Sequence, residues 1–74
     1  KIEVLKAILE IEESGEYDKD FGWTIDQIPG LYGGMIQKLL AEGYIRRGYT
    51  SNTTKCFYGN IEKIREFLKE VGEL

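Results

Sequence analysis

The stretch Ile36-Gln37-Lys38-Leu39-Leu40-Ala41-Glu42-Gly43-Tyr44-Ile45-Arg46-Arg47 narrows the possible folds of this 74-residue chain more than any other. Ile36, Leu39 and Leu40 recur at helical spacing, with Met35 on the flank of the same stripe. A glycine directly after such a stripe suits the left-handed residue that stops a helix. Tyr44 and Ile45 then change the pattern to that of a strand, and two arginines follow. A helix facing the core through Leu39 must therefore reverse at Gly43 and return to the core through Ile45.

The rest of the chain supplies what such a helix–strand corner packs against. Ile2, Leu5 and Leu9 form one row and Val4, Ile8 and Ile11 an adjoining one, which predicts an amphipathic helix over 2–14, ended at Ser14-Gly15. A polar loop closes on Phe21 and Trp23, which alternate around Gly22 as a short extended piece entering the core. Thr24, with Gln27 three positions on, reads as a capping box that opens a short helix over 24–29, stopped by Pro29-Gly30. The next helix spans 31–42. A hairpin over 44–58 follows, with residues 50–54 as its tip. Whether Cys56 and Tyr58 or Phe57 face the core is open, since both sets are apolar. Asn60 caps a last helix, 60–72, with an Ile61, Ile64, Leu68 and Val71 seam and Phe67 beside it. Leu5, Ile8, Trp23, Ile36, Leu39, Ile45 and Leu68 should form one core.

These elements make a mostly α single domain, 1–74, with a small β-hairpin. At this length only about 60 to 65% of the unfolded chain's surface can be buried, which leaves little for a deep active site. The chain has no histidine and one cysteine, so the usual general base, the usual zinc ligands and any intrachain disulfide are missing. No nucleophile–base–oxyanion constellation can be assembled, so the expected protein is not an enzyme and needs neither metal nor cofactor. No apolar run approaches a membrane span, no signal peptide is read, and a single thiol suits a reducing, cytoplasmic setting. The start at Lys1, inside a helical pattern, fits a processed product or a piece of a longer protein.

Net charge is −3, unevenly placed. Residues 1–30 carry three lysines against eight acids, whereas residues 31–60 carry Lys38, Arg46, Arg47 and Lys55 against Glu42 alone. The middle of the chain is a basic island in an acidic protein.

Helix, short extended piece, short helix, turn, helix, hairpin, helix: this order resembles the winged helix–turn–helix superfamily across nearly the whole chain. The Leu39–Arg47 stretch looks like the end of a recognition helix, its glycine stop, and the first strand of the wing. The resemblance implies that 31–42 is the recognition helix, lying in the major groove of double-stranded DNA, and that the wing 44–58 lies on the DNA backbone. It places DNA contacts at Tyr32, Gly33, Gly34, Gln37 and Lys38 on the helix, and at Arg46, Arg47 and Lys55 on the wing. Tyr49 and the tip residues Thr50, Ser51, Asn52, Thr53 and Thr54 join them. Gln37 suits an adenine edge, Lys38 a guanine or phosphate, and the tip hydroxyls and amides phosphate oxygens. The implied function is a DNA-binding module of a transcriptional regulator or DNA-processing complex. The alternative is a winged helix used to dock on a protein partner in a larger assembly.

Gly33-Gly34 departs from the family pattern, where hydroxyl or basic side chains read bases. Two glycines cost roughly 1 kcal/mol each of helix propensity relative to alanine. Either a backbone approaches something closely there, or the helix reads few bases. Of the remaining features, most tyrosines read as core or rim packing, with Tyr49 as the one placed for contact. Cys56 reads as a half-buried structural thiol, with a redox sensor beside Lys55 as the alternative. The seam of the last helix can cover the first helix, form a homodimer, or do both in part. The acids Glu10, Glu12, Glu13, Glu16, Asp18 and Asp20 lack calcium-loop spacing and read as a solvated face.

Overall fold

The computed structural model describes residues 1–74. Helix α1 (Ile2–Ser14) buries Val4, Leu5, Ile8 and Leu9, the two rows expected from the sequence. Strand β1 (Trp23–Thr24) pairs antiparallel with β3 (Lys55–Gly59), Trp23 opposite Phe57 and Thr24 opposite Cys56. Strand β2 (Ile45–Thr50) pairs with the other edge of β3. The sheet therefore has three strands in the order β1-β3-β2, because the short extended piece expected at Trp23 joins the two-stranded hairpin as an edge strand. Helices α2 (Gly33–Glu42) and α3 (Ile61–Glu70) complete the set. No helix is long and apolar enough to cross a membrane.

The helix expected over 24–29 is a single 3₁₀ turn, Ile25–Gln27. Gln27 Oε1 does accept the Thr24 N–H at 3.0 Å, as half of a capping box. Propagation fails because Ile28 precedes Pro29, and a residue before proline is pushed out of the helical region. Ile28 is extended, φ −114° and ψ 106°, and buries its side chain. The third expected helix also starts later than residue 31. Leu31 drops into the core instead, and an extended Tyr32 leads into Gly33. At the other end Gly43 takes φ 81°, the left-handed stop that its place predicted, and Ile45 returns to the core at 3% exposure.

The hairpin tip is four residues, 51–54, held by the Ser51 N–H on the Thr54 carbonyl at 2.8 Å. Register runs Ile45 to Gly59, Arg46 to Tyr58 and Arg47 to Phe57, then slips before Thr50 meets Lys55. Gly48 and Tyr49 thus face Cys56 alone, a β-bulge. The cause lies outside the hairpin. Segment 15–22 crosses it here, and the Phe21 carbonyl accepts the Tyr49 N–H at 2.9 Å. The Tyr58 hydroxyl donates to the Lys19 carbonyl at 2.7 Å, and the Tyr17 and Tyr58 rings meet edge to face. A Cβ on Gly48 would lie 2.2 Å from the Phe21 oxygen, so only glycine lets the two backbones cross. The sheet is covered on both faces, which settles the open question about β3: Phe57 and Cys56 are both buried.

All seven residues expected in the core belong to one buried cluster. Ile64 and Leu68 are fully buried within the chain, and α3 packs on α1. The two central residues of the α3 seam are thus inside the protomer. A homodimer through this helix would have Ile61, Phe67, Val71 and the tail to use, and not the centre of the seam.

Glu12 differs most from its sequence reading. Far from being solvated, its half-buried carboxylate accepts from the Tyr17 hydroxyl at 2.7 Å, Trp23 Nε1 at 2.8 Å and the Gly59 N–H. Burial, and then the bond to Glu12, push the Tyr17 phenol up to about 12.

Gly48→Ala should lower stability by about 1–3 kcal/mol, the usual cost of forcing extra volume into a packed site. An unchanged thermal midpoint would mean that segment 15–22 does not cross the hairpin. The phenol gives a second expectation. A folded value above the unfolded one, about 10, contributes stability that is complete below that pH and lost as pH rises towards about 12. Urea midpoints should fall between about pH 9.5 and 11.5 in the native protein, and fall less in Tyr17→Phe.

Candidate nucleic-acid interface

The start of α2 and the hairpin tip are the two walls of one groove of about 510 Å³. Gly33 and Gln37 come from α2, one turn apart on the same side. Arg47, Asn52, Thr53 and Lys55 come from the hairpin. Thr24, Ile25, Asp26 and Thr54 also line the groove, and buried Ile36 and Phe57 form its apolar floor. Strand period places the two cations here: Arg47 shares a face with Ile45, and Lys55 shares one with Phe57.

The structure does not bring all the predicted contacts together. Arg46, expected beside Arg47, points to the opposite face of β2 and lies 4.4 Å from the Tyr58 ring centroid. Adjacent strand residues cannot share a face, so this split could have been foreseen from the sequence. Tyr32, Gly34 and Lys38 lie on the other flank of α2 with Met35 and Glu42. Tyr49 stacks on Phe21, ring centroids 4.6 Å apart. Ser51 is committed to the tip, its Oγ accepting from the Thr54 N–H at 3.0 Å, and Thr50 closes β2. Thr24 and Asp26 were not expected at the site. They enter it because the second helix is one turn long, and nothing in their local sequence marks them.

The ion pairs of the chain leave the basic island free, as they do Lys19, Lys63 and Lys69. Lys1 pairs with Glu42, Lys6 with Glu73 and Arg65 with Glu13. The bond to Glu73 raises the Lys6 pKa. Lys38, Arg46, Arg47 and Lys55 have no carboxylate partner. The one acid in the groove, Asp26, accepts from the Thr24 hydroxyl at 2.5 Å.

The first turn of α2 is open as well. Tyr32 gives no side-chain cap, and the first N–H bonded back is that of Ile36, on the Tyr32 carbonyl at 3.0 Å. The N–H groups of Gly33, Gly34 and Met35 are left to solvent, with the positive end of the helix dipole behind them. The two glycines there differ. A Cβ on Gly34 would press on the Tyr32 ring at 3.3 Å, whereas one on Gly33 would meet nothing within 4 Å. No internal contact requires glycine at 33.

Compared with known proteins, the chain matches no family model, no curated protein and no solved structure.

Gly33 has a negative φ and open space, so Gly33→Ala should stabilise the free domain by about 0.4–1 kcal/mol, chiefly by restricting the unfolded chain. A rise in thermal midpoint checks this. A fall would show that the backbone at 33 is strained in a way its geometry does not reveal.

Proposed function

We propose that this chain is a winged helix–turn–helix module that binds double-stranded DNA, within a transcriptional regulator or a DNA-processing complex. α2 is its recognition helix and β2–β3 its wing. One observation carries the reading: Arg47 and Lys55, without acidic partners, converge on the same groove as the uncapped start of α2. That combination suits a phosphodiester backbone, since cations supply the attraction and free N–H groups the hydrogen bonds. Gln37, Asn52 and Thr53 stand beside it to position a duplex or reach a base edge.

The docking alternative also has an observation in its favour. Asp26 puts a carboxylate in the groove, and Arg46 is turned away, so fewer cations face a phosphate than the sequence suggested.

Salt dependence separates the two readings. Each phosphate neutralised on B-DNA contributes roughly −0.9 to the slope of log affinity against log salt. Arg47, Lys55 and, on the neighbouring flank, Lys38 predict a slope of about −2 to −3 per protomer. With random duplex, fluorescence anisotropy between about 50 and 200 mM salt should show Arg47→Ala removing about one unit. Arg46→Ala should leave the slope unchanged. Gly33→Ala should weaken binding although it stabilises the fold, because the added methyl stands where a phosphate would approach. Equal losses from Arg46 and Arg47 would overturn the placement of the groove. No binding at about 50 mM salt would turn the reading to the protein-docking module.

A further inference from the structure

Phe21 and Tyr49 are 46% and 45% exposed, too open to contribute much to the core. The other large exposed apolar side chains are Tyr32, just before α2, and Val71 and Leu74, at the end of the chain. Only Phe21 and Tyr49 form an aromatic pair, at 4.6 Å between centroids and 23° between planes.

The pair is also held rigidly. Tyr49 N–H is bonded to the Phe21 carbonyl, and the Phe21 and Gly22 N–H groups to the Asp18 carbonyl at 3.2 and 2.7 Å. Asp18 Oδ1 accepts from Asp20 N–H at 3.0 Å, which ties the turn beneath Phe21. A partner meeting these rings has little left to order, and that ordering is a main cost of association.

Charge says which partner. Segment 15–22 carries Glu16, Asp18 and Asp20 against Lys19, and none of these acids is in an ion pair. An acidic rim around exposed rings repels phosphates and attracts ammonium and guanidinium groups, which also favour aromatic faces. The same side of the hairpin already shows the contact, with the Arg46 guanidinium over the Tyr58 ring. None of Phe21, Tyr49, Asp18 and Asp20 lines the groove that Arg47 and Lys55 share.

We propose that the Phe21–Tyr49 ledge, with its acidic rim, docks a basic, arginine-bearing segment of a protein partner, on a surface separate from the groove. The inference does not depend on the DNA reading, because peptide and duplex would perturb different amides.

The test is a titration of the isotope-labelled domain with a short peptide of alternating arginine and glycine, followed by NMR. A glutamate–glycine peptide and a single-stranded thymidine oligonucleotide serve as comparators. The expected result is that only the arginine peptide shifts the amides of Asp20, Phe21 and Tyr49. Phe21→Ser/Tyr49→Ser should bind it about tenfold more weakly, the loss expected for two exposed cation–π contacts. If that variant fails to fold, the ring-proton shifts of Phe21 and Tyr49 in the unaltered protein decide, and they should move with the peptide. Equal affinity in a folded variant overturns the proposal. So do unmoved ring protons, or shifts confined to the acids of α1. Shifts at the ledge with the oligonucleotide would assign it to nucleic acid instead. Shifts that depend on protein concentration alone would assign it to a second copy of the chain.

Discussion

The Glu12 carboxylate sits where three parts of the chain must meet. Trp23 Nε1 brings β1, the Gly59 N–H brings the end of β3, and the Tyr17 hydroxyl brings the segment between α1 and β1. All three donors are fixed by one side chain in the last turns of α1. A hydrogen bond to a charged group contributes about 1.5–3 kcal/mol, and an orphaned buried donor costs a comparable amount. In a domain this small, with total stability on the order of 5 kcal/mol, this one carboxylate decides whether the sheet is seated on α1. Everything further along depends on that seating. The sheet sets the direction of the hairpin, and the hairpin supplies one wall of the groove.

The second constraint follows from the first. Once Tyr17 is drawn to Glu12 and Trp23 is in the sheet, residues between them must cross the hairpin. The crossing at Phe21 leaves no room for a side chain on Gly48 and coincides with the bulge at Gly48-Tyr49. Cys56, opposite that bulge, is buried. The sequence reading of that residue was a half-buried structural thiol, with a redox sensor as the alternative. Its burial among strand neighbours suits the structural reading, a small apolar filler.

What the sequence made legible were the features that rest on period. Leu39, Gly43 and Ile45 behaved as their spacing required, because a helix stripe and a glycine stop are local and strong signals. α1 and the core followed for the same reason. The misses came from effects that period does not carry. Pro29 acts backwards on Ile28, so a capping box at Thr24 opens one turn and not a helix. The extended piece at Trp23 was legible, but two residues carry no period that would name β3 as its partner. A carboxylate on a helix looks solvated until the donors that seek it are placed, and those of Glu12 lie 5, 11 and 47 residues away. Of the candidate site, the groove walls at 33–37 and 52–55 were legible. The division of Arg46 from Arg47 follows from strand alternation, which a run of charge hides.

That division explains how so small a domain can offer two surfaces of opposite character. Neighbouring residues of a strand face opposite ways, so exposed side chains such as Arg46 and Arg47 can present a different chemistry on each face. Arg47 and Lys55 give one face unpaired positive charge. On the other, Arg46 is held against Tyr58, and the crossing segment adds Phe21 and its acids. The bulge completes the separation: after Arg47 the register slips, and Tyr49 stacks on Phe21 outside the groove. With an undisturbed register Tyr49 would share the face of Arg47, and its ring would crowd the groove. One inserted residue thus keeps the proposed DNA face polar and the proposed protein face aromatic. The acidic total of the chain is then no objection to the proposed DNA-binding groove, since of the eight acids in the first thirty residues Asp26 alone lines it.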